Sequence, residues 1–217
     1  MRPTGLIIRL LAFKNGTIML RILVIAIFLL ISLGGCQTTP GDAAIRSGHP
    51  TQAADLYQRG AEKGDPKAAL KLGLLLEEGK VSPNTYGTAG SWYMKGCGLG
   101  NLPSCHNLGV GYEYGKGGLS QNYKLARSYY QKAAELGYMQ SQYNLASLYS
   151  NQYFSDDVEG LKWMLIARDN ARKCSSNSLC EWILNDPPGH LKKLRNRMSE
   201  QQVIQAEASA SIWFIQK

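Results

Sequence analysis

Histidine is scarce in this chain and it is scattered. His49, His106 and His190 fall in a polar stretch near the start, within a helix, and after a proline turn, so no cluster of imidazoles forms to hold a metal or serve as a base. H-E-x-x-H, G-x-S-x-G and Ser-x-x-Lys are all absent, which removes the familiar zinc-hydrolase and serine-nucleophile arrangements. The cysteines lack the two-residue knuckle of zinc sites. The glycine-rich GVGYEYGKGG lacks the Lys-Ser/Thr ending of a phosphate loop. No catalytic residue, metal ligand or cofactor site is therefore expected. The formal charge of +8 falls to +8 − 4 = +4 once Arg2, Arg9, Lys14 and Arg21, all before Cys36, are set apart. No run of basic residues interleaved with aromatics follows, which argues against nucleic acid as a partner. The densest basic cluster, Lys192, Lys193, Arg195 and Arg197, reads as a solvated helix face, with a phosphate- or lipid-contacting patch as the alternative. Asp156-Asp157 and Glu77-Glu78 read as caps or solvated helix ends rather than acid/base pairs.

What the chain does have begins with an unbroken apolar run from Ile22 to Ile31 behind Arg21. The run is short for a bilayer-spanning helix, which needs about 20 residues, and suits the core of a signal peptide. The ending Leu33-Gly34-Gly35-Cys36 resembles the lipobox of bacterial lipoproteins, with Gly34 where such proteins more often carry Ala or Ser. That resemblance implies cleavage before Cys36 and acylation of its thiol. Gln37, in place of the Asp that retains such lipoproteins at the inner membrane, implies the outer membrane, facing the periplasm. Met19 would give a compact signal, making residues 1–18 an upstream start or a long leading region. An uncleaved anchor helix is the alternative. Thr38 to Pro50, rich in Pro and Gly, reads as a tether.

Beyond the tether the chain repeats. Tyr57, Tyr93 and Tyr130 are separated by 36 and then 37 residues, and the same steps relate Gly64, Gly100 and Gly137, and Leu72, Leu108 and Leu145. Gly64 suits a helix C terminus, and Asp65-Pro66 opens the next helix. Ala53, Ala89 and Ala126 recur in the first helix; Gly73, Gly109 and Ala146 recur in the second. Small residues at fixed places let antiparallel helices approach, while Leu56, Trp92 and Tyr129, and Leu76, Tyr112 and Tyr149, fill the layers between them. The aromatic stripe is accordingly core rather than a ligand box.

This pattern of Ala, an aromatic pair, Ala-Ala, Gly, Leu-Gly and a closing Gly resembles the Sel1-like repeat, a relative of the tetratricopeptide repeat. The resemblance implies an all-α fold: an α/α solenoid of antiparallel helix hairpins with a C-terminal capping helix. The expected divisions are a lipoprotein signal peptide over 1–35, a lipid-attached tether over 36–50, and an array over 51–185, with copies at about 51–88, 89–124, 125–155 and 156–185. Capping helices over 186–217 follow, entered through Pro187-Pro188-Gly189 and closed by a helix that Ser199 and Gln202 begin as a capping box. In the fourth copy Trp163 stands 34 residues after Tyr129, and the missing Leu-Gly leaves its second helix uncertain.

The step from Cys97 to Cys105 resembles the Hcp branch of this family, whose hairpins are stapled by disulfides. In the first repeat the same places are held by Ala61 and Ala69, small residues facing across a tight hairpin. A Cys97–Cys105 bridge and a Cys174–Cys180 bridge in the fourth hairpin are expected, as suits an exported protein. The family resemblance implies a lipid-anchored, non-catalytic envelope scaffold that binds an unidentified protein or peptide through the concave face of the solenoid. The alternatives are a β-lactam-binding protein or β-lactamase, as members of the Hcp branch have been classed, and an adaptor in cell-wall or exopolysaccharide assembly.

Overall fold

The computed structural model describes residues 39–174 and 177–216, which form twelve helices and no strand. Three hairpins pair α2 (Pro50–Glu62) with α3 (Pro66–Glu77), α5 (Ala89–Gly98) with α6 (Leu102–Tyr114), and α7 (Tyr123–Glu135) with α8 (Met139–Ser150). A fourth pairs the long α9 (Asp157–Arg172) with the short α10 (Ser178–Asn185). The single turn α4 (Pro83–Tyr86) lies in the loop from α3 to α5, α1 (Pro40–Arg46) precedes the first hairpin, and α11 (His190–Arg195) and α12 (Glu200–Ile215) close the chain. The array is all-α, and each hairpin stacks on the next.

The hairpin turn is set by one glycine and the residue after it. Gly64, Gly100 and Gly137 take φ of 91°, 85° and 89°, a conformation that a side chain at Cβ disfavours. The next N–H reaches back to the last turn of the first helix: Asp65 to the Gly60 carbonyl at 3.0 Å, Asn101 to Gly96 at 2.9 Å and Tyr138 to Ala133 at 3.0 Å. Asp65 and Asn101 then cap the second helix, Asp65 Oδ1 accepting from the Lys67 N–H at 2.8 Å and Asn101 Oδ1 from the Ser104 N–H at 2.8 Å.

Hairpins interlock where a tyrosine lies flat on a helix that has no side chain to obstruct it. The Tyr93 ring covers Gly73 and the Tyr130 ring covers Gly109, so closely that a methyl group at either glycine would overlap the ring. The same contact occurs once more, ahead of the first hairpin, where Tyr57 covers Gly41. The stretch read as a tether is therefore helical over Pro40–Arg46, with Gly41 and Ala44 buried. Thr39 accepts from the Asp42 N–H while the Asp42 carboxylate accepts from the Thr39 N–H, a full capping box, and Pro40 fits the first turn. In its contact with the first hairpin, α1 plays the part that the second helix of one hairpin plays toward the next.

The buried apolar residues form a string of three clusters, the largest running from α7 through α12. At that end α12 lies along α9, with Trp163 and Trp213 ring centroids 6.3 Å apart, and Ser199 and Gln202 form the expected capping box. Arg197 ties the end together. It donates to both Asp157 carboxylate oxygens and to the Ser150 and Tyr149 carbonyls, so it belongs to a clamp rather than to the surface cluster with Lys192 and Lys193. The fourth hairpin's second helix, left uncertain by the missing Leu-Gly, forms with only eight residues.

Candidate functional site

Polar chemistry recurs along the array as tyrosine–carboxylate pairs. Tyr57 donates to Asp42 at 2.7 Å, Tyr93 to Glu77 at 2.5 Å and Tyr130 to Glu113 at 2.7 Å, each tyrosine from a first helix, with the acids on α1, α3 and α6. A buried phenol needs an acceptor, which each acid supplies; of the three acids only Glu113 is itself buried, and it gains a donor in return. The series ends with both members replaced together: Met164 stands 34 residues after Tyr130, and Ser150 stands 37 after Glu113.

The environments of the acids differ. Lys71, and secondarily Tyr57, hold the Asp42 carboxyl well below the usual carboxylate range. Burial pushes the Glu113 carboxyl up, against the pull of the Tyr130 and Tyr114 hydroxyls. Folded Glu113 thus keeps its proton at a pH where the unfolded chain has lost it, and its contribution to stability declines as pH rises from the ordinary carboxylate range through the raised folded value. Glu113→Gln is expected to gain in melting temperature relative to wild type as pH rises from the ordinary carboxylate range towards neutrality. A difference independent of pH would contradict this assignment.

The expected cysteine pairs sit at disulfide distance, with Cα atoms 4.7 Å apart for Cys97–Cys105 and 6.5 Å for Cys174–Cys180. The place of the first staple in the third hairpin is taken by buried Gln142, whose amide donates to the Ala134 carbonyl at 3.1 Å. Cys36 lies outside the described residues. Of the paired carboxylates, Asp156 caps α9, Asp157 meets Arg197, Glu77 accepts from Tyr93 and Glu78 pairs with Lys80, so all four have structural partners.

His49 precedes α2, and His106 packs between the Tyr130 and Tyr138 rings with Nδ1 3.0 Å from Ser141 Oγ; burial pushes its pKa down to about 4. His190 is the arrangement that sequence spacing does not reveal. It meets Ser150, with Asp186 and Tyr143 nearby, and all four are buried. The set has the composition of a nucleophile with its base, but the protons run the other way. Ser150 donates to the Ser147 carbonyl at 2.9 Å, which leaves His190 Nδ1 as donor to the serine. Asp186 accepts from Tyr143 at 2.8 Å and from the Leu191 N–H at 2.8 Å. This network joins α8 to the start of α11. Among the described residues, no group of three or more His, Cys, Asp or Glu is placed to hold a metal ion, and no helix is long and apolar enough to cross a membrane.

A family model for the Sel1 repeat matches residues 48–65, 66–101, 102–138 and 140–171, more than half of the chain. The chain belongs to the Sel1 repeat family. Among solved structures it is similar to a Sel1 repeat protein from Oxalobacter formigenes, at 21% identity over 81% of this chain and 71% of that one, with a TM-score of 0.57. It is also similar to a protective antigen of uropathogenic Escherichia coli that displays an SLR fold, at 20% identity and a TM-score of 0.50, covering 76% of this chain and 48% of the antigen. The chain thus spans about half the antigen's length, and these likenesses speak to the fold alone.

Each complete Sel1 unit from residue 66 onward runs from one hairpin's second helix to the next hairpin's first helix, so a tyrosine and the acid that accepts from it fall in the same unit. The outward faces of the first helices also keep the repeat step. Asp55, Ser91 and Ser128 form one exposed row; Arg59, Lys95 and Lys132 form another, with Lys132 Nζ 3.4 Å from the Cys97 carbonyl one hairpin back. The cations stand in the last turn of their helices, where they complement the helix dipole.

Proposed function

We propose that the mature chain is a lipid-anchored scaffold of the bacterial envelope, held by an acylated Cys36 at the outer membrane and facing the periplasm. It binds a protein or peptide partner along the outward faces of α2, α5 and α7 and carries out no catalysis. The observation that carries this reading is the division of labour within each Sel1 unit: the recurring glycines and tyrosines are committed to packing between helices, whereas the rows through Arg59 and Asp55 recur at the same step and stay exposed. A regular exposed array on a rigid solenoid suits an extended partner. The lipobox residues Leu33 to Cys36 support the anchor, and Gln37 supports the outer membrane.

The test is cross-linked capture from detergent-solubilised envelopes with the full-length protein and with the Lys95→Glu/Lys132→Glu variant, alongside an assay with a chromogenic β-lactam. A partner retained by wild type and lost by the folded variant is expected, with no turnover. Equal capture by both proteins, or heat-sensitive turnover that scales with protein, overturns the reading.

A further inference from the structure

A concentration of cations lies at the N-terminal end of the array, in a cleft of about 520 Å³ between α1, α2 and α3. Arg59, Lys63, Lys67 and Lys71 line it. Lys71 is committed to Asp42, but none of Arg59, Lys63 and Lys67 is ion-paired among the described residues. The lining acid, Asp65, is turned to its capping role on the Lys67 and Ala68 N–H groups. A helix C terminus accounts for Arg59 and Lys63. It does not account for Lys67, which stands in the first turn of α3, where the helix dipole disfavours a cation. Leu56 and Pro40 supply apolar wall beside this charge, and the volume is that of a small-molecule cleft.

The cleft's position follows from α1. Thr39, which caps that helix, also lines the cleft, and Cys36 is three residues earlier, so the two cannot be more than about 11 Å apart along a trans backbone. A membrane held at Cys36 is held at the mouth of this cleft. We propose that the cleft binds the phosphodiester headgroup of an anionic phospholipid in that membrane, a second attachment beside the acyl chains. Cationic side chains within a Debye length of an anionic lipid surface are attracted to it, and one lipid signal joined to a basic patch is a recurrent means of firm anchoring. The inference rests on acylation of Cys36, which the test reads separately.

Native mass spectrometry of the full-length protein in neutral detergent, with equal amounts of dioctanoyl phosphatidylglycerol and dioctanoyl phosphatidylcholine, tests it. One phosphatidylglycerol should be retained in preference to phosphatidylcholine, and Lys63→Glu/Lys67→Glu should weaken that retention at least tenfold with an unchanged melting temperature. Equal retention of the two lipids, no effect of the variant, or displacement by millimolar inorganic phosphate as effective as by lipid overturns the proposal, the last by making the cleft a phosphate site. The protein's own mass in the same spectra shows whether residues 1–35 have been removed and acyl groups added, so a failure of the anchor is distinguished from a failure of the cleft.

Discussion

Tyr130→Ala is expected to lower the melting temperature by about 10 to 15 °C, the largest loss from any single change within the array. The side chain is fully buried, lies on Gly109 and donates to Glu113, so its removal both opens a cavity and takes a donor from a buried carboxyl. Truncating a buried aromatic costs about 3 to 5 kcal/mol, and in a chain of this size each kcal/mol corresponds to about 2 to 4 °C. Tyr130→Phe separates the two effects. It keeps the ring and removes the hydroxyl, which donates to Glu113 and accepts from Asn144, at about 1 to 3 kcal/mol for lost buried hydrogen bonding. Tyr57→Phe, chemically the same change, should cost less, because Asp42 keeps Lys71 and is partly exposed. Thermal melts of the three variants check the ranking; equal losses for Tyr57→Phe and Tyr130→Phe would contradict the role given to burial.

The second large effect is expected at the fourth hairpin. Its closing helix α10 is held at one end by Cys174–Cys180 and at the other by Arg168 donating to the Leu184 carbonyl and Tyr143 donating to Asp186. Replacing both cysteines with Ser should cost about 2 to 3 kcal/mol by the chain-entropy relation for so short a loop and release residues 177–189 to rapid amide exchange. Removing Cys97 and Cys105, which the same relation values about equally, should release less of the chain to exchange. That hairpin retains the Asn101 N–H bond to Gly96, the Asn101 cap and the buried Leu108, and Ala61 and Ala69 show that the same place packs without a staple. Hydrogen exchange on the two double variants tests the order, and non-reducing peptide mapping of the exported protein tests the pairing. A wider release on removing Cys97–Cys105 would reverse the argument.

The array was legible because its period is carried by residues with one structural use each. Glycine at a left-handed turn and glycine beneath a tyrosine ring leave few alternatives; the first recurs at steps of 36 and 37, and the second at Gly73 and Gly109, 36 apart. The first helix was missed for the opposite reason. Pro40 and Gly41 read as breakers in isolation, whereas Pro40 sits in the first turn and Gly41 is the seat for Tyr57. The tyrosine–acid pairs did leave a signal, since Glu77 and Glu113 stand 36 apart, within one residue of the 37 between Tyr93 and Tyr130. Their meaning depends on which helices are neighbours across the hairpin boundary. The Ser150, His190 and Asp186 network left none: its members are 36 and 40 residues apart, and a proline turn brings them together.

The tyrosine contacts also bear on how such a chain can change length. Glycine and acid sit on one hairpin's second helix, and the ring that meets them on the next hairpin's first helix, with the same chemistry at Gly73 and Glu77 as at Gly109 and Glu113. Excising residues 78–113 would bring Gly73 and Glu77 up against Tyr130 in place of Tyr93, a junction with the old grammar. The internal units are in this sense interchangeable parts. The boundary at Met164 and Ser150 is not, because a unit inserted there would present a phenol to a helix that no longer offers it a carboxylate.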